Sequence, residues 1–345
     1  MKVIMTCGGT GGHIYPAIAI ADKIKEKQKD AEILFIGTKH GMENRLVPAA
    51  GYEIKGIDAS GIDRHNPIKN IKTVNNFIKG GIEAGNIIRK FRPDVVIGTG
   101  GYVTGTVVQH GKLYGAKCYI HEQNAFPGVA NKILEPICEK VFISFPEAAK
   151  FFKNESKVVL VGNPIRQAFI DSEKSNDYIL ICGGSLGAEM INNAALDLMN
   201  KVDDKIIFVT GRRYYEQIKK NNIPDNVTLL DYENNMPERM GKAKLVISRA
   251  GAITLSEIMA SGKPAIFIPS PNVTANHQYH NAMSVVEAGA ALIVEEKELE
   301  KNIGVLSEKV QKLLADEEIL KSMAENAKKV AKLDAADIIY QNIYG

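Results

Sequence analysis

The sequence predicts an α/β protein of two halves, each built on a doubly wound parallel sheet. The apolar strand Val3–Met5 runs into the glycines of segment 8–12 and then into a helix, and Ile179–Leu186 repeats this pattern halfway along the chain. Elsewhere, continuous apolar strands alternate with helical spacing, which is typical of a parallel sheet covered on both faces. A length of 345 residues also favours two domains over one.

The first half is predicted to span residues 1–162. Its strands are short and apolar: Val3–Met5, Glu32–Ile36, Val95–Ile97, Lys117–Ile120, Lys140–Ile143 and Val158–Val161. Helical spacing separates them: Tyr15–Lys29, Lys69–Phe91, Thr104–Leu113 and Gly128–Ile137. The cluster Gly162-Asn163-Pro164 then interrupts the pattern, and this turn-type composition predicts a hinge.

The second half, residues 163–330, repeats the scheme. Its predicted strands are Tyr178–Cys182, Ile206–Val209, Val227–Leu230, Leu245–Ile247, Ala265–Ile268 and Ala291–Val294. Its predicted helices are Ala188–Met199, Tyr214–Asn221, Ile253–Ala260, Asn276–Glu287 and Leu299–Leu314. The tail is mostly helical, Asp334 is a helix start, and a terminal helix at about 331–345 could pack back onto the first half. A cleft between two such halves suits a nucleotide and a second substrate.

Composition narrows the class of protein. The chain is 45% apolar and 24% charged, and its net charge of +3 is too small to indicate a nucleic-acid partner. The four cysteines form no C-x-x-C pair, which predicts buried free thiols in a reducing compartment. The sequence shows no signal peptide and no apolar run of the ~18–20 residues that span a bilayer. We therefore expect an intracellular protein, either soluble or peripheral to a membrane.

The glycine loops are predicted anion sites, because they let a phosphate approach backbone N–H groups at a helix N-terminus. They fit neither of two common nucleotide motifs. The ribose-binding acid of the dinucleotide fingerprint is missing after both second strands, which end Phe35-Ile36-Gly37 and Val209-Thr210-Gly211. No loop is followed by the lysine of a P-loop. The alternative is that the glycines only permit tight turns.

Two candidate proton acceptors follow predicted strands of the first half. His13 closes the first glycine loop at a helix N-terminus, where the helix dipole disfavours the imidazolium. Glu122 lies in the polar run 121–124, at the strand end where α/β proteins bind ligands. The alternatives are a packed histidine and an ordinary polar loop, and the sequence does not choose between His13 and Glu122. H-E-x-x-H spacing and D-x-D triplets are both absent, so no metal is indicated.

The segment 248–257, SRAGAITLSE, follows a strand of the second half and opens a helix. Its small residues and first-turn N–H groups suit a phosphate. Glu257 is expected within about the first helical turn. There its carboxylate either accepts hydrogen bonds from a ribose diol or offsets the helix dipole.

The segment 64–92 is strongly basic, with seven Lys and Arg residues (64, 69, 72, 79, 89, 90 and 92) against one acid, Glu83. Apolar residues interleave with the basic ones: Ile68, Ile71, Phe77, Ile78 and Ile82. Such a segment suits an anionic membrane surface, where each Lys or Arg contributes ~1 kcal/mol. The alternative is an amphipathic helix whose apolar face belongs to the core.

Seven motifs, in this order, resemble the MurG family of bacterial cell-wall glycosyltransferases, which have the GT-B fold. They are GGTGGH at 8–13, GTGGYVTG at 98–105, HEQNAFPGVANK at 121–132, GNPIR at 162–166, GGSLGA at 183–188, SRAGAITLSE at 248–257 and HQYHNA at 277–282. Together they span nearly the whole chain. The resemblance implies a GT-B fold, with two Rossmann-like domains of doubly wound parallel sheets facing a cleft.

The resemblance also implies a reaction. GlcNAc moves from UDP-GlcNAc to the MurNAc C4 hydroxyl of lipid I (undecaprenyl-diphospho-MurNAc-pentapeptide), giving lipid II and UDP with inversion. The enzyme would be peripheral on the cytoplasmic face of the cell membrane and serve peptidoglycan synthesis, and so cell shape and division. UDP-GlcNAc is then a substrate rather than a cofactor, no tightly bound metal is expected, and other cell-wall synthesis proteins are candidate partners.

Donor-side roles follow from the same resemblance. Ser185 and the backbone at 252–255 hold the diphosphate, Glu257 takes the ribose, and Arg166 lies by the nucleotide. The full implied donor set is Thr10, Gly11, Gly12, Asn124, Arg166, Ser185, Glu233, Ala252, Ile253, Thr254, Leu255, Ser256, Glu257 and Gln278. Glu233 stands where the family has an apolar residue whose backbone contacts uracil, and His277 stands where glutamine is frequent.

The resemblance places Gln278 and Asn124 against GlcNAc. His13, Tyr102 and Asn131 line the acceptor side together with Thr10, and His13 or Glu122 acts as the general base. Rival interpretations are another GT-B enzyme, either a lipid glycosyltransferase or a UDP-GlcNAc epimerase, and a non-catalytic nucleotide-sugar sensor. An epimerase would release UDP without a lipid acceptor, and a sensor would bind the donor without turnover.

Overall fold

The computed structural model describes residues 1–59, 69–184, 187–273 and 276–345, and only the backbone of residues 69–77. The chain divides into two compact units. Unit 1 comprises Met1–Arg166 with Asp334–Gly345, and unit 2 comprises Gln167–Leu333. The division falls four residues beyond the expected boundary at 162. Asn163 belongs to unit 1 because its Nδ2 donates to the Gln123 carbonyl (3.2 Å) and its Oδ1 accepts from the Ser144 hydroxyl (2.7 Å).

Unit 1 contains a seven-stranded parallel sheet. Its strands are β1 Lys2–Thr6, β2 Glu32–Thr38, β3 Glu53–Ile57, β4 Val95–Gly98, β5 Lys117–Glu122, β6 Lys140–Ile143 and β7 Val158–Leu160. They lie in the order β3-β2-β1-β4-β5-β6-β7. The six predicted strands are confirmed. The order reverses between β1 and β4, and ligands of α/β proteins bind at the carboxyl ends of strands at such a point.

Five helices precede the end of unit 1: α1 Gly11–Lys27, α2 Glu43–Ala49, α3 Lys69–Phe91, α4 Tyr102–Leu113 and α5 Val129–Leu134. A 3₁₀ turn at Glu135–Ile137 continues α5, so the predicted helix Gly128–Ile137 changes its geometry at Pro136. The sequence analysis missed both β3 and α2. In β3, Glu53 and Lys55 interrupt the apolar pattern at the sheet edge, and α2 has only seven residues, including Pro48.

Unit 2 contains a six-stranded parallel sheet in the order β10-β9-β8-β11-β12-β13. The strands are β8 Tyr178–Cys182, β9 Ile206–Val209, β10 Val227–Leu230, β11 Ala243–Ser248, β12 Ala265–Phe267 and β13 Ala291–Ile293. All six were predicted. The order again reverses beside the first strand of the unit, between β8 and β11.

The helices of unit 2 cover both faces of its sheet. They are α6 Gln167–Asp171, α7 Glu189–Leu198, α8 Arg212–Ile218, α9 Met236–Gly241, α10 Ala252–Ala260, α11 His277–Val286, α12 Glu296–Lys301, α13 Val305–Leu314 and α14 Glu317–Val330. Short α6 and α9 were not predicted. The predicted helix Leu299–Leu314 is two helices, because the chain leaves helical geometry at Asn302 before Gly304.

The last helix, α15 Ala335–Tyr344, belongs to unit 1 and packs on α1. Asp334 is its N-cap residue, as the sequence predicted for the helix start. Asp337 pairs with Lys23 (3.1 Å), and the Gln28 amide donates to the Tyr340 hydroxyl (2.9 Å). The chain therefore crosses from unit 2 back to unit 1 between Leu333 and Asp334.

Strand side chains fill the core of each unit, for example Met5 and Phe35 in unit 1 and Ile181 and Phe208 in unit 2, all fully buried. The four cysteines are buried and unpaired, as predicted. Burial raises the pKa of the Cys182 thiol to about 12, which leaves it protonated at neutral pH. No helix in the part of the chain that the structure describes is both long and apolar enough to cross a membrane.

Candidate active site

Two glycine segments of unit 1 pack against each other at the carboxyl ends of β1 and β4. Gly100 (φ +116°) and Gly101 (φ +91°) adopt a conformation that residues with side chains rarely adopt. A Cβ at Gly101 would lie 2.5 Å from the Gly8 carbonyl oxygen, and one at Gly100 would lie 2.6 Å from the His13 ring. The sequence keeps both positions as glycine, so the second segment closes onto the first loop and its histidine.

His13 is the third residue of α1 and is partly buried. Its Nδ1 lies 3.0 Å from the Gly8 carbonyl oxygen. A carbonyl can only accept, so Nδ1 carries the proton and the lone pair of the neutral ring falls on Nε2. The Thr99 hydroxyl donates to the His13 carbonyl (2.7 Å), which ties the start of α1 to the end of β4. This geometry suits a proton acceptor.

Glu122, the last residue of β5, is buried and accepts four hydrogen bonds from the loop that follows it. Oε1 accepts from the backbone N–H and the side-chain amide of Asn124 (3.0 and 3.2 Å). Oε2 accepts from the Gly128 N–H (2.9 Å) and the Asn131 amide (2.8 Å). Its carboxylate therefore organises residues 123–131, and the sequence could not show this because two of the donors lie six and nine residues away.

His121 forms a buried polar network beneath this loop. Its Nε2 donates to the Gly162 carbonyl (2.9 Å), and its Nδ1 accepts from the Gln123 amide (2.9 Å). Burial lowers the pKa of His121 to about 4, so the ring is neutral at pH 7. The Gln123 amide also donates to the Thr99 carbonyl (2.7 Å). The polar run 121–124 thus fixes the carboxyl ends of β4 and β5 relative to each other.

Glu43 is a residue near the first loop that the sequence analysis missed. It is the first residue of α2, it is fully buried, and its Oε2 accepts from the Gly9 N–H (3.3 Å). Burial and then the Glu43 carboxylate raise the pKa of the Cys7 thiol. The prediction of a phosphate site at this loop needs correction at Gly9, since a carboxylate already takes its N–H. The available sequence signal was an acid close to two glycines, but α2 shows no helical periodicity.

The other predicted residues of unit 1 lie around this edge. Thr10 is the exposed N-cap of α1, and Gly11 and Gly12 form its first turn. Tyr102 is the first residue of α4 and is 68% exposed. The Arg166 guanidinium stacks on the Tyr15 ring of α1, with 4.2 Å from Cζ to the ring centroid. The donor or acceptor roles of these residues stay predictions.

Unit 2 has its own glycine loop after β8. Gly184 (φ +87°) and Gly187 (φ +78°) both have left-handed backbones, and a Cβ at Gly187 would lie 2.3 Å from the Thr210 carbonyl oxygen. The loop therefore packs on the end of β9. Ser185, the predicted diphosphate contact, lies outside the described residues.

Helix α10 begins at the carboxyl end of β11, after the N-cap Gly251. Ala252, Ile253 and Thr254 form its first turn, which contains no acidic residue, and Thr254 is partly exposed. Leu255 is buried, and the Ser256 hydroxyl donates back to the Ala252 carbonyl (2.9 Å). The N–H groups of a first helical turn lack intrahelical acceptors, so this end can receive an anion.

Glu257 is the sixth residue of α10, which places it in the second turn rather than the first as expected. It is 6% exposed, and its charge contributes to raising the pKa of Cys182 at the end of β8. The helix-dipole effect falls off within the first turn, so offsetting the dipole explains this position poorly. The role of Glu257 as a ribose ligand stays a prediction.

Two further predicted residues of unit 2 have assigned partners. The Oε1 of Gln278, on α11, accepts from the Ser270 N–H (2.9 Å). Glu233 pairs with Arg239 (2.6 Å), which leaves its backbone for any contact with a base. The sequence analysis missed Arg249, which pairs with Glu296 and donates to the Ile268 carbonyl (3.0 Å). Within the described residues, no group of three or more His, Cys, Asp or Glu side chains could hold a metal.

Comparison with known proteins identifies the class. Residues 3–143 match the model of the glycosyltransferase family 28 N-terminal domain, and residues 178–339 match that of the family 28 C-terminal domain. The chain is thus a two-domain glycosyltransferase of family 28, with a Rossmann-like parallel sheet in each domain.

Its relatives narrow this class to one enzyme family. The chain is 42% identical, over 99% of both chains, to the UDP-N-acetylglucosamine–N-acetylmuramyl-(pentapeptide) pyrophosphoryl-undecaprenol N-acetylglucosamine transferase of Thermoanaerobacter sp. (strain X514). It is 43% identical to that of Acetivibrio thermocellus, covering 99% of this chain and 97% of the relative. The crystal structure of Acinetobacter baumannii MurG matches with a TM-score of 0.77 and 30% identity, covering 99% and 98% of the two chains. The chain belongs to the MurG family of N-acetylglucosamine transferases, which confirms the resemblance and the GT-B fold.

Proposed function

We propose that this enzyme transfers GlcNAc from UDP-GlcNAc to the MurNAc C4 hydroxyl of lipid I, giving lipid II and UDP with inversion, in peptidoglycan synthesis. The observation that carries the proposal is 42% identity over 99% of the chain to a relative whose name gives these two substrates. Both the His13 loop of unit 1 and helix α10 of unit 2 lie within the aligned length.

His13 is the proposed general base. The acceptor hydroxyl is a weak nucleophile until a base takes its proton, and such a base contributes about 10²–10⁴-fold. Because the Gly8 carbonyl holds Nδ1–H, the ring offers Nε2 as the accepting atom. Glu122 is assigned a different role, since its four hydrogen bonds hold Asn124 and Asn131 in place.

Helix α10 is the proposed diphosphate site, and Glu257 the proposed ribose ligand. The departing UDP develops negative charge in an oxocarbenium-like transition state. A first helical turn without an acid favours that charge through its N–H groups and dipole. We therefore expect transfer to proceed without a tightly bound metal.

The α3–α4 side of unit 1 supports a role at the membrane surface. A Cβ at Gly81 or Gly85 would lie 3.3 Å from the His110 ring, so these glycines let α3 pack closely on α4. Ile78 and Ile82 precede these glycines by three residues each and therefore lie on the same side of α3, yet they are 58% and 63% exposed. An ordinary amphipathic helix buries such residues.

Leu113 and Tyr114 of α4 join Ile78 and Ile82 in an exposed α3–α4 apolar patch, which lines a groove of about 440 Å³. Exposed Lys79, Arg89 and Lys90 of α3 accompany it. Apolar side chains flanked by basic ones suit an anionic lipid surface. We propose peripheral binding of unit 1 to the cytoplasmic face of the membrane. Residues 64–68 of the predicted basic segment lie outside the described residues, as do the side chains of 69–77.

Vesicle sedimentation tests this part. Binding to vesicles should require anionic lipid. The double variant Ile78→Ser/Ile82→Ser should bind more weakly, by about tenfold for each residue replaced, since each replacement removes an apolar side chain that the membrane would bury. Ile319→Ser in unit 2, also an exposed isoleucine (46%), is the matched control and should bind as the unmodified protein does. Equal binding by all three proteins would refute the patch.

Product analysis tests the reaction. UDP release from UDP-GlcNAc is measured with and without a short-chain lipid I analogue, in EDTA. Release that requires the analogue and forms a disaccharide supports the transferase and its independence from free metal. Release without acceptor would indicate an epimerase or hydrolase instead, and donor binding without release would indicate a sensor.

A further inference from the structure

Glu43 occupies a closely fitted cradle at the ends of β1 and β2. Its Oε1 accepts from the Thr38 N–H (2.8 Å) and the Thr38 hydroxyl (2.6 Å), and its Oε2 accepts from the Gly9 N–H (3.3 Å). A Cβ at Gly41 would lie 2.1 Å from Oε2, and one at Gly37 would lie 2.6 Å from its Cγ. The surrounding chain thus leaves room for this carboxylate and for little else.

A single peptide group connects the Glu43 carboxylate to the His13 ring by hydrogen bonds. The N–H that donates to Glu43 and the carbonyl that accepts from His13 Nδ1 (3.0 Å) belong to the same Gly8–Gly9 peptide. Hydrogen bonds in such a chain polarise one another, so a negative charge at the N–H end makes the carbonyl end a better acceptor. The fixed plane of the peptide also transmits the position of the carboxylate to the carbonyl.

The geometry assigns Glu43 as a positioning residue for His13, acting through the Gly8–Gly9 peptide to hold Nδ1–H and keep the lone pair on Nε2. This inference rests on the proposed role of His13 as the general base. It resembles the carboxylate that orients the histidine of a Ser-His-Asp triad, with a peptide group inserted between the two side chains. The carboxylate itself takes no proton in the reaction.

The first test is Glu43→Gln, assayed for kcat, KM and the pH dependence of kcat/KM. The uncharged amide should lower kcat about 10- to 100-fold, by analogy with the carboxylates that orient metal-bound imidazoles. KM for UDP-GlcNAc should change less than about twofold, and the acid limb of the pH profile should move to lower pH. Glu135→Gln is the matched control, because Glu135 is also buried in unit 1 and accepts a backbone N–H, from Asn154 (2.6 Å). It should keep the kcat and the pH profile of the unmodified enzyme.

A double variant separates positioning from general destabilisation. In a His13→Ala background, Glu43→Gln should cost less than about twofold, because its effect passes through the imidazole. The same loss of rate in both backgrounds, or an unmoved acid limb in Glu43→Gln, would overturn the inference.

An NMR titration of the unmodified protein decides the matter without any variant or acceptor. The Gly9 amide resonance should follow the titration of the His13 ring, since the ring bonds to the carbonyl of the peptide group that contains this N–H. A Gly9 amide chemical shift that stays constant while the His13 ring titrates would overturn the inference, even if Glu43→Gln failed to fold. If the enzyme showed no acceptor-dependent UDP release, the proposed function would fail, but this titration would still report on the Glu43–His13 connection.

Discussion

The glycine loop of unit 1 and that of unit 2 are built on the same scaffold. Each follows the first strand of its unit, begins after a buried cysteine (Cys7 or Cys182) and has a left-handed second glycine (Gly9 or Gly184). In both units a carboxylate contributes to raising the pKa of that cysteine. The two carboxylates come from different elements, which makes the comparison informative.

The source of the carboxylate separates the two units. Helices α4 and α10 occupy corresponding places, and the third residue of each is threonine, but the sixth is Val107 in α4 and Glu257 in α10. In unit 1 the acid is Glu43 of α2 instead, and its carboxylate accepts a hydrogen bond from a backbone N–H of the glycine loop. We propose that the acid on the helix after β11 binds a ligand in unit 2, whereas the acid of α2 holds the glycine loop in unit 1. Under this proposal one scaffold serves binding in unit 2 and positioning in unit 1.

The largest effect expected from this difference is that of His13→Ala, which removes the proposed base of unit 1. We expect kcat to fall about 10²–10⁴-fold, the usual contribution of a general base, with little change in thermal stability because the side chain is partly exposed. Steady-state kinetics with a lipid I analogue measure the loss. His40→Ala, at an exposed histidine of the same unit, should be near normal. Near-normal turnover of His13→Ala would reject the assignment.

Acid should destabilise unit 1 more than unit 2. His121, the next-to-last residue of β5 in unit 1, is buried, whereas apolar Ile268 follows the corresponding β12 of unit 2. The pKa of His121 is about 4 when folded, against 6.5 for an unperturbed histidine. Between these values only the unfolded chain binds the proton, so this stability is complete above pH 6.5 and is lost as pH falls to 4. The loss amounts to about 3 kcal/mol.

Hydrogen exchange at pH 7 and pH 5, corrected for intrinsic rates, measures this difference. Amides of β4 and β5 should lose protection, while those of β11 and β12 serve as the internal control. His121→Gln should flatten the pH dependence of unit 1 while lowering its stability at pH 7. Equal acid sensitivity of the two sheets would contradict the role of His121.

Glu257→Gln should affect donor binding, because it replaces the acid that α10 has where α4 of unit 1 has Val107. We expect KM for UDP-GlcNAc to rise about 10- to 100-fold, since charge-assisted hydrogen bonds contribute about 1.5–3 kcal/mol. Calorimetric titration with UDP measures the corresponding loss of affinity without turnover. Glu308→Gln, an exposed acid of unit 2, is the control. Unchanged UDP affinity would remove Glu257 from the ribose site.

Glu122→Gln should act mainly on stability, which sharpens the contrast with His13. An amide cannot accept from four donors, so we expect a loss of about 2 kcal/mol in the free energy of unfolding. The acid limb of the pH profile should stay in place, and kcat should fall less than about tenfold, through displacement of Asn131. If the acid limb vanished in this variant and persisted in His13→Ala, the two residues would exchange roles.

The sequence predicted what depends on local pattern. Continuous apolar segments predicted twelve of the thirteen strands in the part of the chain that the structure describes, and the seven motifs indicated the family. Edge strand β3 was not predicted because Glu53 and Lys55 interrupt its apolar pattern, and short helix α2 was not predicted because it is brief and contains Pro48. These are positions where tertiary contacts, rather than local preference, determine the structure.

Side-chain roles were harder to predict than elements, because they depend on partners distant in sequence. Glu122 was a candidate general base, yet its donors are Asn124 and Gly128 in the loop that follows β5 and Asn131 at the start of α5. Glu43 lies in none of the seven motifs, and the Gly9 N–H that donates to it lies 34 positions earlier. A sequence shows which groups can ionise, whereas packing decides whether they face a ligand or the backbone.

The close packing of Gly100 and Gly101 has a consequence for resistance to inhibitors. Any side chain at Gly101 would overlap the Gly8 carbonyl, and any at Gly100 would overlap the His13 ring. A cell that altered either residue to exclude a drug would also displace the histidine proposed as the base. Few resistance mutations that preserve activity would therefore be available against a compound that binds the backbone of these two glycines. Many would be available against a compound that binds the exposed Tyr102 side chain.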